Sequence, residues 1–272
     1  MWRAYVSPEA EAASRFAAAA RAERTAACAL GEKCSNLSAV TTLIIALALA
    51  LFSLPGDARA EETVDLELVL AIDASGSVDD SEWALQMQGY ATAFRDEKVQ
   101  AAISSGPNSR IGVAVVVWAD AAWPRWESEW FVLAAPSDAE RFAAFMAGLG
   151  RSPIGGTGIG TGVATAIAKL DRNGLTARRQ VVDVSGDGRE TPPRDNVVLM
   201  PAANAMARAR GVTVNGLAIL NDDPRLAEYY RNDVIAGQDA FVMTAVDYED
   251  FAEAITRKLL REIEHQERVS VR

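Results

Sequence analysis

The fold is decided by Leu66-Glu67-Leu68-Val69-Leu70-Ala71-Ile72-Asp73-Ala74-Ser75-Gly76-Ser77. The stretch opens with a run of mostly apolar residues, which predicts a buried strand. It then changes abruptly to small residues that carry side-chain oxygens. A strand that ends in Asp-x-Ser-x-Ser places a carboxylate and two hydroxyls at the carboxyl end of a sheet, where open α/β folds bind their ligands. Such hard oxygen donors suit a hard cation, Mg²⁺ above all.

The rest of the chain alternates predicted strands with predicted helices. Further strands are predicted at 110–118, 179–185, 212–220 and 240–243. Periodic apolar residues predict helices between them, namely one after Asp79, one opened by a capping box at Ser137-Asp138-Ala139-Glu140, an alanine-rich one ending near Leu170, one at 196–210, a short one opened by Asp222-Asp223-Pro224 and a last one capped by Asp247. This order predicts an α/β fold: a doubly wound, mostly parallel sheet with helices on both faces.

Four of the six tryptophans lie in one short span, at Trp118, Trp123, Trp126 and Trp130. Pro124 argues against a long central strand there, so we predict an edge hairpin or a bent connection, with an edge strand at 127–133. The tryptophans would pack this segment onto the domain, or would form an exposed aromatic patch for a partner or a sugar.

The N-terminal part resembles a targeting segment more than a folded domain. Residues 39–52 are uncharged and apolar, and they are followed by Pro55-Gly56 and by the small-x-small sequence Ala58-Arg59-Ala60. This pattern is typical of a secretory signal peptide. The apolar run of roughly 15 residues is shorter than the ~20 that a spanning helix needs, which favours a cleaved signal over a membrane anchor. We therefore expect an exported protein, periplasmic or secreted, with residues 1–60 as an N-terminal extension and signal and residues 61–272 as one domain.

The cysteine content and the net charge of the chain limit which metal sites and binding partners we expect. Cys28 and Cys34 both precede the expected cleavage site, so the mature chain would hold neither a disulfide nor a thiolate metal site. The whole chain has a formal net charge of −10, and residues 1–60 contain six basic and five acidic residues, which leaves −11 for the remainder. So acidic a surface argues against nucleic acid or anionic lipid as a partner.

Two other predicted strand ends and loops carry small polar residues. Thr157 lies in the glycine-rich run 155–162, and Asp187 lies between Gly186 and Gly188. Because a doubly wound sheet brings such loops to one edge, we expect both residues to meet the Asp73 loop.

Together, Asp73-x-Ser75-x-Ser77, Thr157 and Asp187 resemble the metal-ion-dependent adhesion site (MIDAS) of von Willebrand factor type A domains, a family with a Rossmann-like fold, and the resemblance covers roughly 65–264. It implies that the three hydroxyls bind a divalent metal, Mg²⁺ or else Mn²⁺ or Ca²⁺, and that the two carboxylates bind it directly or through water. It also implies that a Glu or Asp carboxylate of a partner protein takes the open coordination position. Around 229–230 and 251–255 the sequence resembles a bacterial group of exported A-domain proteins without an assigned function, DUF1194.

Each of these residues also allows a local structural interpretation. Ser75, Ser77 and Asp79 are residue types that cap helices. Thr157 among glycines is compatible with turn chemistry, and Asp187 is compatible with an Asx-turn. The joint occurrence of five such residues at the right strand ends favours the metal site.

Enzymatic alternatives find less support in the sequence. A hydrolase that uses the same metal to activate water needs a general base, and Asp120 and Glu190 are the candidates. The single histidine, His265, lies in a charged helix, which argues against a Ser-His-Asp triad. The glycine run lacks the Gly-Lys-Ser/Thr of a P-loop. A third interpretation is a scaffold protein that contacts its partner through the tryptophans. We expect a non-catalytic, metal-dependent protein-binding domain.

Overall fold

The computed structural model describes residues 61–121, 125–151, 155–171, 173–191 and 197–264, all within the unit Arg59–Arg272. The expected signal segment, Trp123, the start of the helix predicted at 196–210, and His265 lie outside these ranges. Among the described residues, none of the helices is long and apolar enough to cross a membrane.

The strands of the described residues are β1 (Glu62–Val64), β2 (Glu67–Asp73), β3 (Ile111–Trp118), β4 (Trp126–Glu127), β5 (Phe131–Leu133), β6 (Leu175–Ala177), β7 (Gln180–Gly186), β8 (Thr213–Ile219) and β9 (Val242–Ala245). The main sheet has the order β4-β3-β2-β7-β8-β9, with β5 also paired to β3. The pairs from β3 to β9 are parallel, whereas β4 and β5 run antiparallel to β3. The mostly parallel sheet is therefore confirmed.

Strand β2 lies in the middle of this sheet and is buried along its whole length. Its apolar run permits this because both of its faces contact other residues of the core. The register places Asp73 beside Trp118 of β3 and Ile72 beside Ser185 of β7. The carboxyl ends of these three strands consequently meet at one edge.

The helices are α1 (Asp80–Arg95), α2 (Glu97–Ser105), α3 (Pro136–Ala147), α4 (Ile159–Leu170), α5 (Met200–Arg210), α6 (Leu226–Tyr229) and α7 (Phe251–Glu264), with a π-helical turn at Tyr230–Val234. One hydrophobic core joins α1, α2, α3 and α7 to one face of the sheet. A second core joins α4, α5 and the α6 turn to the other face. The doubly wound arrangement with helices on both faces is confirmed.

The predicted edge strand exists, but in two pieces. Ser128 separates β4 from β5 because its hydroxyl enters the sheet's hydrogen bonding: Oγ accepts from the Val115 backbone at 2.9 Å and donates to the Glu129 carbonyl at 2.7 Å. The prediction of one continuous edge strand over 127–133 was therefore wrong, because the segment forms two short strands.

Several predicted helix starts were displaced. α3 begins at Pro136 rather than after Ser137, since proline fits the first helical turn, and Asp138 accepts from the backbone of Ala135 at 3.0 Å. Glu140, assigned to that capping box, instead pairs with Arg95 at 2.7 Å.

Other boundaries shifted further along the chain. α5 begins at Met200 rather than near 196, α6 begins at Leu226, two residues after Pro224, and β9 covers Val242–Ala245 rather than 240–243. Asp247 accepts from the Asp250 backbone at 2.9 Å, one turn before α7 starts. The pair β1–β6 and helix α2 were not predicted.

Candidate metal-binding site

Three loops form the site at the carboxyl edge of the sheet. Asp73 ends β2, Asp187 directly follows β7, and Thr157 precedes α4. The Gly76 backbone donates to the Gly155 carbonyl at 2.7 Å, which ties the first loop to the glycine loop. The predicted convergence of the loops is thus present.

Hydroxyls and carboxylates make direct contacts within this edge. Ser75 Oγ lies 3.2 Å from Ser77 Oγ, and Ser77 Oγ donates to Asp187 Oδ1 at 2.7 Å. A Cβ added to Gly188 would lie 3.4 Å from Thr157 Oγ1, so the threonine hydroxyl borders the Asp187 loop. Asp73 reaches the same region from β2.

Both carboxylates keep one oxygen without a protein partner. Asp73 and Asp187 are 0% and 2% exposed. Asp73 Oδ1 accepts from the Ser75 backbone at 2.7 Å, while Oδ2 of Asp73 and Oδ2 of Asp187 have no hydrogen-bond partner among the described residues. Burying one such group costs about 1–3 kcal/mol, so two of them at one place indicate a binding function.

The donor set decides which ions fit. Within the described ranges, no three His, Cys, Asp or Glu residues are grouped as metal ligands. The candidate site has instead two carboxylates and three hydroxyls, all hard oxygen donors, and these suit Mg²⁺ or Ca²⁺ better than a metal that prefers thiolate or imidazole.

The electrostatics of the carboxylates agree with a cation. Burial raises the pKa of Asp73 to about 8, and the nearby Asp187 carboxylate adds to the rise. Burial also raises the pKa of Asp187, which the hydrogen bond from Ser77 partly offsets. Both negative charges are therefore unfavourable without a cation, and a divalent ion would reverse this.

The helix cap shows which hydroxyls remain available for the site. Asp79 Oδ1 accepts from the backbones of Ser81 and Glu82, both at 2.8 Å, and the Glu82 side chain accepts from the Asp79 backbone at 2.8 Å. This capping box starts α1 without the hydroxyls of Ser75 and Ser77. Of the three capping candidates, only Asp79 has that role.

The two candidate bases of a hydrolase bind the backbone. Asp120 Oδ2 accepts from Gly156 at 3.3 Å. Glu190 accepts from Gly160 at 2.8 Å and from Met200 at 3.2 Å, one with each oxygen. Glu190 thus caps α4 and α5 together, and both carboxylates position the loops around Thr157.

Arg151 also lies at the site, although its sequence position did not predict this. Its guanidinium donates to the Ser75 carbonyl at 2.8 Å and to Asp80 at 3.2 Å, and its side chain is 13% exposed. Its positive charge lowers the pKa of Asp73, although burial outweighs this effect. Nothing local in the sequence signals this contact, because 76 residues separate Arg151 from Ser75.

A buried polar chain behind the site was also missed. Gln86 donates to the Asp73 carbonyl at 3.3 Å and accepts from Ser185 at 3.1 Å. The Ser185 hydroxyl in turn lies 3.1 Å from the Tyr90 hydroxyl. This chain fixes the end of β2 against β7 and α1.

The described tryptophans mainly pack the edge of the sheet. Trp118 is fully buried, and Trp126, 36% exposed, stacks on Phe145 with ring centroids 6.0 Å apart. Phe131 also contacts Phe145, at 4.9 Å. Packing therefore accounts for Trp118 and Trp126, while Trp123 lies outside the described residues.

Comparison with known proteins identifies the fold. The sequence profile of a family described as "Protein of unknown function (DUF1194)" matches residues 63–267. The structure is similar to the pilus adhesin SpaC of Lactobacillus rhamnosus GG, with a TM-score of 0.52 and 15% identity over 74% of this chain and 31% of that chain. It is also similar to the vWF domain of the type V pili tip protein Mfa5 of Porphyromonas gingivalis, with a TM-score of 0.50 and 14% identity over 75% of this chain and 98% of that chain.

These likenesses differ in extent. The chain spans about a third of SpaC but nearly all of the Mfa5 domain. At such identities the likeness shows the fold, which is that of a von Willebrand factor type A domain. No curated protein is significantly similar to the chain in sequence.

Proposed function

The chain belongs to the DUF1194 family of proteins of unknown function, and we propose that it is an exported, non-catalytic protein that binds a divalent cation and, through it, an acidic side chain of a partner protein. The proposed ligands of the ion are Asp73, Ser75, Ser77, Thr157 and Asp187. We further propose that residues 61–272 form one domain, and that residues 1–60 are removed on export.

One observation carries the proposal. The Oδ2 atoms of Asp73 and Asp187 are buried and lack a partner among the described residues, at the edge where the hydroxyls of Ser75, Ser77 and Thr157 meet them. A cation at this edge would neutralise both carboxylates, which burial alone leaves unfavourable.

The charge of the donor set supports a protein ligand. Of the five proposed ligands only the two aspartates are ionised, so a bound divalent cation supplies an electrophilic position for a further carboxylate. The mature chain would have a net charge of −11, so an acidic partner would be repelled by the rest of the surface. Binding of such a partner should therefore depend completely on the ion.

Mg²⁺ is the proposed ion, with Mn²⁺ or Ca²⁺ as alternatives. Few protein oxygens and a remaining open position suit Mg²⁺, which keeps several waters and demands near-octahedral geometry. Ca²⁺ takes more ligands at longer distances, so the relative affinities for the two ions would distinguish them.

A non-catalytic role is supported by the positions of the two candidate bases. Glu190 accepts backbone hydrogen bonds with both oxygens, and Asp120 accepts one from Gly156. Both carboxylates thus serve the backbone around the site.

The test is a calorimetric titration of Mg²⁺ into the purified, chelator-treated protein. We expect one-site heat in the wild type and none in the double variant Asp73→Ala/Asp187→Ala. Asp171→Ala is the matched control, because this aspartate pairs with Arg210 at the surface, with a shortest distance of 3.2 Å. Equal heats in the wild type and the double variant would refute the assignment.

A further inference from the structure

Two tyrosines approach the same carboxylates from elements that the site does not otherwise use. Tyr230 begins the π-helical turn after α6, and Tyr248 lies in the loop between β9 and α7. They are 0% and 3% exposed. Neither belongs to the motif that identifies the site.

The Tyr230 hydroxyl and Oδ2 of Asp73 both lie next to Gly186. A Cβ added to Gly186 would lie 2.8 Å from the Tyr230 hydroxyl and 2.7 Å from Asp73 Oδ2. The glycine therefore leaves room for both atoms at one place. A second glycine, Gly216 of β8, admits the ring, since a Cβ there would lie 2.7 Å from Tyr230 Cδ1.

The Tyr248 hydroxyl lies beside the other carboxylate. The hydroxyl oxygen is buried, and its contact with the Asp187 carboxylate lowers the pKa of that carboxylate. Tyr248 is held there by the turn in which Asp250 donates its backbone N–H to Asp247 at 2.9 Å, just before α7.

Four buried polar atoms thus gather at this place: Asp73 Oδ2, Asp187 Oδ2 and the two phenol oxygens. By strict geometry none of the four makes a hydrogen bond within the described part of the chain, although the Tyr248 hydroxyl approaches the Asp187 carboxylate closely enough to lower the pKa of that carboxylate. Burying polar groups without partners is unfavourable, and four such atoms in one cluster require a common explanation. Carboxylate oxygens only accept hydrogen bonds, whereas a phenol can donate one, so the two kinds of group complement each other.

We propose that Tyr230 and Tyr248 are positioning residues of the metal site, which donate hydrogen bonds, directly or through one water, to Asp73 and Asp187 when these carboxylates hold the ion. The proposal rests on the proposed function. Neutral donors suit this role because they orient an ionised carboxylate without adding a positive charge that would repel the cation. Groups that hydrogen-bond to metal ligands orient them and raise metal affinity in this way.

The test compares hydroxyl-deletion variants with a matched control. Tyr230→Phe and Tyr248→Phe remove only the hydroxyls, and the control Thr256→Val removes a partly buried hydroxyl of α7 that instead donates to the Ala252 carbonyl at 2.7 Å. Mg²⁺ dissociation constants are measured by calorimetry, and the unfolding midpoint is measured without metal. We expect Mg²⁺ affinity to fall about tenfold in each tyrosine variant and about a hundredfold in the double variant, with Thr256→Val unchanged.

The midpoint separates positioning from a merely structural role. Removing an unpartnered buried hydroxyl should leave the metal-free protein equally stable or more stable, while Mg²⁺ affinity falls. If the wild type binds Mg²⁺ and the tyrosine variants bind it equally well, this inference is overturned and the proposed function is left intact. An equal loss of affinity in Thr256→Val would also overturn it, and a wild type without Mg²⁺ binding would remove both proposals.

Discussion

The Ser77 hydroxyl donates a 2.7 Å hydrogen bond to Asp187 Oδ1 across 110 residues of sequence. It joins the loop after β2 to the loop after β7, the two loops that supply the carboxylates. The parallel register makes this possible, because it brings the carboxyl ends of neighbouring strands to one edge. The proposed site therefore follows from the order of the strands.

Asp73→Asn should abolish Mg²⁺ binding and yet stabilise the metal-free protein. The amide keeps the shape of the side chain but removes a buried charge that burial and Asp187 make unfavourable. We expect the free energy of unfolding at pH 8 in chelator to rise by on the order of 2 kcal/mol. Urea denaturation measures it. A less stable metal-free variant would contradict the conclusion that burial makes the charge of Asp73 unfavourable.

The stability of the metal-free protein should fall as pH rises. The ordinary pKa of an aspartate is 3.8, and in the folded protein burial raises the pKa of Asp73 to about 8. Between these values the folded state holds a proton that the unfolded state has released, so this contribution is complete below about pH 4 and lost by about pH 8. Urea denaturation in chelator at pH 5.5 and at pH 8 measures the change.

Asp73→Asn is the control for this pH dependence. In this variant the free energy of unfolding should change less steeply with pH than in the wild type. Burial and Glu262 also raise the pKa of Asp183, so a residual slope of the same sign should remain. Saturating Mg²⁺ should remove the contribution of Asp73 to the pH dependence of stability, since the ion holds the carboxylate ionised. An identical slope in the variant and the wild type would contradict the assignment to Asp73.

Gly186→Ala should weaken metal binding more than it weakens the fold. The added methyl would lie 2.7 Å from Asp73 Oδ2 and 2.8 Å from the Tyr230 hydroxyl, so one of them must move. We expect at least a roughly tenfold loss of Mg²⁺ affinity, since displacing a ligand or its hydrogen-bond partner has effects of this size. Gly150→Ala is the control, because a Cβ there meets nothing within 4 Å. Equal Mg²⁺ affinities by calorimetry in both variants would speak against the close approach at Gly186.

Glu190→Ala should destabilise the protein because one side chain caps two helices. It removes the acceptors for the backbones of Gly160 and Met200, and a lost cap costs about 1–2 kcal/mol. Thermal unfolding measures the loss, with the exposed Glu249→Ala as the control. A variant as stable as the wild type would leave Glu190 available for another role.

Trp126→Ala should leave Mg²⁺ affinity unchanged while it destabilises the edge of the sheet. The ring stacks on Phe145 of α3, and loss of such an aromatic contact costs about 1 kcal/mol. If the variant also lost metal-dependent binding of an acidic partner, the tryptophan segment would have to be part of the interface. Calorimetry and thermal unfolding of the same sample measure both quantities.

Much of the fold could be predicted because its signals are local. The apolar runs that form β2, β3, β7 and β8 stand out in the sequence, and their alternation with helices fixes the architecture. The pair β1–β6 was not predicted because each strand has only three residues and pairs with a strand more than a hundred residues away in sequence. Helix α2 was not predicted as a separate helix because only Asp96 separates it from α1.

The site was predictable to the extent that its residues form a recognisable motif. Asp73, Ser75 and Ser77 are neighbours in sequence, and Thr157 and Asp187 stand among glycines. Arg151, Tyr230 and Tyr248 carry no such signal, since only the folded chain brings them to the carboxylates. The same holds for the capping role of Glu190, which depends on two helices distant in sequence.

The most direct measurement is the anomalous difference map of crystals of the protein grown with Mn²⁺. We expect one strong peak at the carboxyl edge of the sheet, in contact with the hydroxyls of Ser75, Ser77 and Thr157 and with the carboxylates of Asp73 and Asp187, directly or through water. A peak held by other residues, or no peak at saturating Mn²⁺, would contradict it.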